Sequence, residues 1–275
     1  MIEIKNLSYV YQSGDKLYHA LQDVSLTLSE GKFIAVIGTN GSGKSTLARH
    51  LNALFLPTSG NVLVDGLDTS EQENIWAIRQ KVGMVFQNPD NQIVAAVVED
   101  DVAFGPENLG LAPELIRKRV AKALQAVRME EWRAFSPHLL SGGQKQKVAI
   151  AGALALGSKY LVLDEPTAML DPMSRREVMN TLKKLQAEEK ITIILITHYM
   201  EEVMNADEVI VIEKGKVVLQ GTPEEIFVQV DKLKALGLDV PPMTELAFLL
   251  RNSGLNIPQD IFTVDEMVNY LCPYL

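Results

Sequence analysis

Cysteine is nearly absent from this sequence, since Cys272 is the only one among 275 residues. One cysteine cannot form a disulfide within the chain, and a chain without such bonds is typical of a reducing compartment. We therefore interpret Cys272 as a thiol without a special role.

Long apolar runs are absent as well. The longest, residues 148–156, is interrupted by Gly152. It is much shorter than the roughly 18 residues that a membrane-spanning helix needs. The first five residues also lack the basic and then apolar layout of a signal peptide. We expect a soluble, cytoplasmic protein that reaches a membrane only through a partner.

Basic residues are outnumbered by acidic ones. The 26 Lys and Arg against 35 Asp and Glu give a net charge of −9, which argues against a broad basic surface for nucleic acid. The hydrophobic content of 47% and charged content of 22% are ordinary for a folded globular protein and argue against disorder. The length suffices for one sizeable core and a small second unit.

A strand, a glycine-rich loop and a helix are predicted in succession around residue 40. The apolar run 33–37 indicates the strand, and residues 47–54 favour the helix. The loop between them fits the pattern G-x-x-x-x-G-K-[ST], in which backbone N–H groups and a helix N-terminus bind phosphate. There the lysine reaches the β- and γ-phosphates, and the serine hydroxyl ligates Mg²⁺. The alternative is a glycine-rich turn without a ligand. The candidate phosphate-binding residues are Gly38, Thr39, Asn40, Gly41, Ser42, Gly43, Lys44, Ser45 and Thr46.

Three further apolar runs predict strands that end in polar residues. The runs are 82–86, 160–163 and 191–196, and the polar residues after them are Gln87, Asp164, Glu165 and His198. Because ligands bind at the carboxyl ends of strands in open α/β sheets, we expect these side chains at the site. Two adjacent carboxylates at a buried strand end repel each other unless a cation such as Mg²⁺ lies nearby. The alternative is a solvated turn. We interpret His19, His50 and His138 as surface or packing residues.

Residues 88–157 lack strand patterns and show helical periodicity over 97–108, 113–127 and 142–155. We predict an inserted helical subdomain there. Its last helix opens with the sequence LSGGQ at 140–144. Ser141 suits an N-cap, and the two glycines that follow would let a ligand approach the exposed N–H groups. A plain cap explains the serine but not the glycines, which weaken a helix's first turn.

The two ends of the chain carry strands first and helices last. Residues 2–30 alternate in a way that predicts an antiparallel pair or a small sheet with a turn at 13–15, and residues 209–219 predict a hairpin. Tyr11, at the end of the first strand, either stacks on a base or fills the core edge, with Tyr9 and Tyr18 as rivals for the stacking role. We interpret residues 223–275 as an appended helical unit for packing or dimerisation.

The order of these motifs is distinctive. The phosphate loop, Gln87, LSGGQ, the strand ending in Asp164 and Glu165, Asp171 and His198 together resemble the ATP-binding cassette (ABC) ATPases over residues 1–222. The sequences FQNPDNQ at 86–92 and VEDDVAFG at 98–105 are similar to energy-coupling factor transporter ATPases, which include the cobalt and nickel importers. These two motifs are more similar to the first of the two paralogous ATPase subunits of such transporters. Residues 236–238 and 241–242 of the helical unit are also similar to the corresponding part of these ATPases.

The resemblance implies a fold and a division of the chain. The fold would be an α/β P-loop NTPase: a RecA-like, mostly parallel sheet with helices on both faces and an N-terminal antiparallel β subdomain. Residues 1–222 would form the nucleotide-binding domain, with 88–157 as its inserted helical subdomain. Residues 223–275 would form the C-terminal helical unit.

The resemblance also implies roles for the matched residues. The loop would bind ATP, with Lys44 among the catalytic groups, and Mg²⁺ would be held by Ser45, Gln87 and Asp164. Glu165 would polarise the attacking water, His198 would bind the γ-phosphate, and Tyr11 would stack on adenine. ATP held by the opposing subunit would be capped by Ser141, Gly142, Gly143 and Gln144, with Asp171 near that junction.

The implied partners are a second ATPase subunit, which is a copy or a paralogue, a transmembrane coupling subunit and a membrane subunit that captures substrate. The protein would lie at the cytoplasmic face of the membrane and power uptake of a vitamin or a transition-metal ion. The coupling subunit would dock after Gln87, where Glu99, Asp100 and Asp101 are either its contacts or charges favoured by a helix start. The alternative is a soluble ABC ATPase of DNA repair, ribosomes or cofactor assembly. A P-loop kinase would leave LSGGQ unexplained.

Overall fold

The structure is a computed structural model, and it describes residues 1–14 and 16–271. Strands and helices alternate along this part of the chain. Asp15, in the turn predicted at 13–15, and Cys272 lie outside the described residues. The strands are β1 (Ile2–Ser13), β2 (Lys16–Leu28), β3 (Phe33–Ile37), β4 (Ser59–Val64), β5 (Leu67–Asp68), β6 (Val82–Val85), β7 (Tyr160–Asp164), β8 (Thr192–Ile196), β9 (Glu208–Glu213) and β10 (Lys216–Gly221). The helices are α1 (Lys44–Leu51), α2 (Ile75–Lys81), α3 (Val98–Asn108), α4 (Pro113–Ala126), α5 (Gly142–Ala155), α6 (Pro172–Glu189), α7 (Met200–Val203), α8 (Pro223–Phe227), α9 (Val230–Ala235), α10 (Pro242–Asn252) and α11 (Val264–Leu271).

A mostly parallel sheet forms the centre of the fold, in the spatial order β10-β9-β3-β8-β7-β6. β3 pairs in parallel with β8 and β9, and β7 pairs in parallel with β6 and β8. The edge pair of β9 and β10 is antiparallel, as the sequence predicts. Every residue of β3, β7 and β8 is buried, because packing covers both faces. The fold class is confirmed, and the carboxyl ends of β3, β6, β7 and β8 lie at one edge, where such sheets bind ligands.

A second sheet, in the order β2-β1-β4-β5, is antiparallel throughout its described pairs. Its apolar face and α1 pack on one face of the central sheet in a single cluster. Ile2 and Leu21 of the second sheet, Leu47 of α1 and Val162 of β7 belong to that cluster. The strand alternation of residues 2–30 therefore predicts the pair correctly, and the cluster fixes α1 beneath the phosphate loop.

A partly buried carboxylate ties the two sheets together. Asp65, after β4, accepts a hydrogen bond from the Tyr160 hydroxyl of β7 at 2.6 Å and contacts Lys81, Lys159 and the amino group of Met1. Burial raises the pKa of Asp65, but these hydrogen bonds outweigh it and hold the pKa well below its ordinary value. The cluster therefore stabilises the ionised carboxylate where the sheets meet.

Helices α3 to α6 cover the opposite face of the central sheet. Val102, Leu124, Ile150 and Leu182, one from each helix, share a cluster with Leu163 of β7. The three helices predicted between residues 88 and 157 agree with α3, α4 and α5 to within one residue at each end. Apolar periodicity predicted α3 and α4 because each buries one face, whereas α5 is buried on most sides, with residues 148–151 all buried.

The last helices form two groups. α8 and α9 pack against the central sheet, where Phe227 and Leu233 join Ile37 and Val211 in one cluster. α10 and α11 share a smaller cluster of their own. The division of the chain at residue 222 stays a prediction, since α8 and α9 complete the core beside β3 and β9. Across residues 1–14 and 16–271, no helix combines the length and the apolar composition that crossing a bilayer requires.

Candidate active site

The glycine-rich loop connects β3 to α1, in the order that the sequence predicts. Gly43, the residue before α1, has a φ of 111°, in the left-handed region that favours glycine. A Cβ on Gly43 would lie 2.5 Å from the carbonyl oxygen of Ala20, and one on Gly38 would lie 2.2 Å from that of Ile212. These contacts leave no room for larger side chains, so the loop can wrap closely around a ligand.

Lys44 lies buried against this loop, with 5% of its surface exposed. Its Nζ donates hydrogen bonds to the carbonyl oxygens of Gly38 at 2.9 Å and Thr39 at 3.0 Å. Burial lowers the pKa of Lys44, and the carboxylates of Glu165 and Asp164 oppose that shift. An ammonium group is therefore positioned within the loop to bind phosphate oxygens.

Ser42 contributes a buried hydroxyl to the same loop. Its Oγ has no hydrogen-bond partner among the described residues. Buried polar groups nearly always have a partner, so an unpaired hydroxyl within a phosphate-type loop fits a donor to a bound ligand. The loop thus has the donors that a phosphate chain requires.

A cavity of about 630 Å³ opens beside the loop. Tyr11, Tyr18 and His19 line it opposite the loop residues, and Tyr11 and Tyr18 are cross-strand partners on β1 and β2. The Tyr11 hydroxyl lies 3.2 Å from Oγ1 of Thr46. Tyr9 is not among the lining residues that the structure describes. The place of His19 in this cavity was missed, because it depends on the pairing register of β1 and β2.

Ser45 and Asp164 meet across the loop. The Ser45 hydroxyl donates a hydrogen bond to Oδ1 of Asp164 at 2.8 Å, which joins the start of α1 to the end of β7. Burial raises the pKa of Asp164; Glu165 adds to the rise, while Ser45, Arg49 and Lys44 oppose it. A hydroxyl beside a carboxylate whose charge is disfavoured fits a Mg²⁺ site, because the cation would stabilise that charge. No group of three or more His, Cys, Asp or Glu placed to hold a metal ion occurs within residues 1–14 and 16–271. Mg²⁺ bound with substrate phosphates needs only one or two protein ligands.

Glu165 is held in a rare backbone conformation. Its φ is 50°, in the left-handed region, and its N–H donates to the carbonyl oxygen of Ile196 in β8 at 3.0 Å. Its Oε2 lies 3.4 Å from Nε2 of Gln87 and 3.7 Å from Nδ1 of His198. A non-glycine residue in this region costs about 1–2 kcal/mol and is typical of functional positions. The ends of three strands thus converge on one carboxylate.

A second cavity, of about 360 Å³, lies on the other side of Glu165. Thr39, Asn40 and His198 line it, and so do three residues after α9, which are Gly237, Leu238 and Asp239. A Cβ on Gly237 would lie 3.5 Å from the methyl carbon of Thr39. No chemistry was predicted for the C-terminal helices, so the position of this turn at the border of the site was missed.

The LSGGQ segment forms the N-terminus of α5. Ser141 is the N-cap: its Oγ accepts from the Gln144 N–H at 3.3 Å, while Gln144 Oε1 accepts from the Ser141 N–H at 2.9 Å. This reciprocal pair is a capping box. The spacing of Ser141 and Gln144 is that of a capping box, but Gln144 was predicted only to bind a ligand.

The two glycines of LSGGQ also pack within the chain. A Cβ on Gly143 would lie 2.8 Å from Cβ of Ser174 in α6, and one on Gly142 would lie 3.3 Å from Leu170. Asp171 caps α6 by accepting from the N–H groups of Met173 and Ser174 at 3.0 Å. The starts of α5 and α6 therefore meet in one tip, which we call the LSGGQ tip: residues 139–144 and 169–174.

The structure therefore divides the candidate site residues into two places. The phosphate loop, Tyr11, Gln87, Asp164, Glu165 and His198 come together around the two cavities. Ser141, Gly142, Gly143, Gln144 and Asp171 form the LSGGQ tip and are not among the described lining residues of either cavity. The LSGGQ tip is thus separate from both cavities at the phosphate loop of its own chain.

The remaining predicted packing and surface positions are consistent with this arrangement. His50 is fully buried, its Nδ1 lies 2.7 Å from the carbonyl oxygen of Thr46, and burial lowers the pKa of His50. His138 is exposed. Neither histidine lines a cavity at the phosphate loop in the described part of the chain.

The acidic start of α3 is partly used within the chain. Glu99 pairs with Arg133, whose Nε lies 3.1 Å from the carboxylate. Asp101 accepts from the N–H of Val94 at 2.7 Å and also lines a groove with Phe104. From the sequence, these acidic residues were either contacts for a partner or charges favoured at the start of a helix. Glu99 and Asp101 now have local roles, while the side chains of Val94 and Phe104 are exposed at the groove.

Comparisons with known proteins agree with this geometry. The ABC transporter family profile matches residues 21–168. The chain is 60% identical over 273 residues to the energy-coupling factor transporter ATP-binding protein EcfA1 of Caldanaerobacter subterraneus subsp. tengcongensis, with 99% of each chain covered. It is 59% identical over 273 residues to the protein of the same name from Clostridium novyi, covering 99% of this chain and 98% of the relative.

Solved structures show the same architecture. The chain aligns with cbiO1 from Clostridium perfringens, part of the ABC transporter complex cbiONQ, at a TM-score of 0.78 and 39% identity, covering 91% of this chain and 98% of the other. It aligns with a dimeric ATP-binding cassette in a post-hydrolysis state bound to ADP and Pi at a TM-score of 0.73 and 32% identity, covering 81% and 99%. The chain therefore belongs to the ABC transporter family, and within it to the ATP-binding proteins of energy-coupling factor transporters.

Proposed function

We propose that this chain binds and hydrolyses ATP as one of two ATPase subunits that power uptake through an energy-coupling factor transporter. The observation that carries this proposal is the convergence at one sheet edge. There the Ser45–Asp164 pair lies beside the phosphate loop, and Glu165 is contacted by Gln87 and His198. This is the set of groups that phosphoryl transfer to water requires.

Each group has a task that follows from its position. The loop N–H groups and Lys44 bind the phosphates, and their positive charge stabilises the charge that builds up on the transferred phosphoryl oxygens. Ser45, Asp164 and Gln87 would hold Mg²⁺, which would neutralise negative charge on the phosphates. Glu165 orients and polarises the attacking water.

Two further positions complete the nucleotide site of one subunit. His198 lies beside Glu165 at the second cavity and contacts the γ-phosphate in this proposal. Tyr11 faces the loop across the larger cavity, where its ring stacks on the adenine base. Tyr18, its cross-strand partner, lines the same cavity and is the alternative stacking residue.

The remaining cap comes from a second ATPase subunit. The LSGGQ tip lies away from the cavity of its own chain, so its helix N-terminus is available to an ATP held by an opposing subunit. Leu139, Met169 and Met173 in the tip expose large apolar side chains (74%, 62% and 73%). Such exposed apolar groups mark interaction surfaces. ATP would then join two subunits, which are copies or paralogues, and hydrolysis would release them.

Closure of this pair would act on membrane partners. The groove lined by Val94, Asp101 and Phe104 suits a transmembrane coupling subunit, because exposed apolar side chains there border a carboxylate. A separate membrane subunit would capture the solute, which is a vitamin or a transition-metal ion. The chain would thus lie at the cytoplasmic face of the membrane. Residues 1–222 would act as the nucleotide-binding domain and residues 223–275 as the dimerisation unit.

Co-purification tests this assignment against a soluble ABC ATPase. A tagged chain is expressed in its native cells, membranes are solubilised, and the proteins that elute with it are identified by mass spectrometry. We expect integral membrane subunits and a second ATPase. Phe104→Asp in the groove should release the membrane subunits, whereas Trp76→Asp, at a more exposed aromatic on α2, should retain them. Elution with ribosomes or DNA-repair proteins alone would contradict the proposal.

A further inference from the structure

A buried carboxylate that the scheme above leaves unused lies behind the hydrolytic residues. Glu202 in α7 is only 2% exposed. Its Oε1 accepts a hydrogen bond from the Thr167 hydroxyl and its Oε2 accepts one from the Thr197 hydroxyl, each at 2.5 Å. Both carboxylate oxygens are therefore satisfied by side chains from two different turns. Burial raises the pKa of Glu202, and the two threonines oppose that shift.

The two threonines belong to the turns that present Glu165 and His198. Thr167 follows Glu165 by two residues after β7, and Thr197 directly precedes His198 after β8. The Thr197 Oγ1 also accepts from the Tyr199 N–H at 3.0 Å, which fixes the backbone on the far side of His198. One carboxylate thus joins both turns through their threonine side chains.

Arg175 adds a third element to the same cluster. Its guanidinium carbon lies 3.5 Å from the centroid of the Tyr199 ring, and its Nε lies 3.8 Å from Oε1 of Glu202. Arg175 lies one turn after Asp171, the cap of α6 in the LSGGQ tip. The cluster therefore connects the turn of His198 to the helix whose start would face the opposing subunit.

From this arrangement we infer that Glu202 is a positioning residue for hydrolysis: by joining Thr167 and Thr197 it holds Glu165 and His198 in register. The inference rests on the proposed ATPase activity of this site. Glu202 is not among the described lining residues of either cavity at the phosphate loop, so it acts through the two turns and not on ATP. Holding reacting groups in place matters because a displacement of about 1 Å can cost about 100-fold in rate.

The effect of this residue should fall on kcat and not on nucleotide binding. Phosphate release is measured on the transporter complex that contains the chain, and ATP affinity with a fluorescent analogue. We expect Glu202→Gln to lower kcat about 10-fold or more with KM within about threefold, because an amide keeps the side-chain volume but offers one acceptor instead of two. Glu201→Gln, at the exposed neighbouring position, should leave both constants unchanged.

Two further comparisons separate positioning from general loosening of the fold. Thr197→Ser keeps the hydroxyl and should retain kcat, whereas Thr197→Val has the same shape without it and should lower kcat as Glu202→Gln does. In a Glu165→Gln background, Glu202→Gln should cause a smaller further loss in kcat than in the wild type, because one of the two groups that it positions is already gone. Should Glu202→Gln fail to fold, the serine and valine variants of Thr197 decide the question.

The outcomes distinguish this inference from the function on which it rests. A wild-type complex without ATPase activity, or one that Glu165→Gln leaves active, would overturn the proposed function. If that activity is present and depends on Glu165, a folded Glu202→Gln variant with wild-type kcat would overturn the inference alone. Equal losses in kcat and ATP affinity, or equal effects of Thr197→Ser and Thr197→Val, would also overturn it.

Discussion

Replacing Glu165 by glutamine is expected to stop hydrolysis while ATP binding survives. Glutamine has the same length, so the contact with Gln87 at 3.4 Å can be kept, but the amide cannot polarise water as a carboxylate does. General-base catalysis contributes about 10²–10⁴-fold. At about 1.36 kcal/mol per tenfold in rate, this raises the barrier by roughly 2.7–5.4 kcal/mol.

The assay compares phosphate release with the binding of a fluorescent ATP analogue in the same preparation. We expect turnover to fall at least about 100-fold with an ATP dissociation constant within about threefold of wild type. Glu201→Gln is the matched control, since it makes the same chemical change on the exposed side of α7. Turnover within tenfold of wild type would refute the role of Glu165, as would a parallel loss of ATP affinity.

Three other predictions concern the loop and the junction of the sheets. Gly43→Ala should weaken ATP binding more than about 10-fold in a fluorescence titration, because its φ is 111° and its Cβ would lie 2.5 Å from the Ala20 carbonyl oxygen; unchanged affinity would contradict the loop geometry. Tyr160→Phe removes the hydrogen bond to Asp65 and should cost about 1.5 kcal/mol, or about 3–6 °C in melting temperature by calorimetry; an unchanged melting temperature would argue against that bond. Because the folded pKa of Asp65 lies below 3.8, its stabilisation is complete above that pH and is lost as pH falls through the folded pKa. The difference in melting temperature between the wild type and Asp65→Asn should thus stay constant from about pH 8 to 5 and become smaller below about pH 4. A difference that grows on acidification would contradict the predicted direction of the pH dependence.

Much of the nucleotide site could be predicted from the sequence, because its residues follow directly from strands that apolar runs reveal. Asp164 and His198 are examples: each comes at or next to the end of a buried strand, and parallel strands bring such ends to one edge. The helices of residues 88–157 were predicted to within one residue, since α3 and α4 each bury a periodic apolar face and α5 begins after the N-cap Ser141. Local patterns thus sufficed wherever position along the chain determines position in space.

Other features depend on tertiary contacts that no local pattern carries. The positive φ of Glu165 is imposed by its hydrogen bond to β8, and the place of Asp239 beside the phosphate loop follows from how α9 packs on the central sheet. Glu202 lies beside Glu201 in the first turn of the short helix α7, and two adjacent acidic residues there are typical of a surface segment. Its burial arises only when the turns after β7 and β8 meet. Sequence reasoning therefore found the polar groups that meet at the edge of the central sheet and missed those that support them.

The most direct test of a nucleotide shared between two subunits is the mass of the ATPase pair in ATP. In a Glu165→Gln background, light scattering after gel filtration should report an ATP-dependent dimer of this chain with its ATPase partner. Adding Ser141→Arg at the LSGGQ tip should abolish that dimer while ATP binding to the single chain persists, and Gln72→Arg, at an exposed position between β5 and α2, should not. An undiminished ATP-dependent dimer in the Ser141→Arg variant would contradict the account.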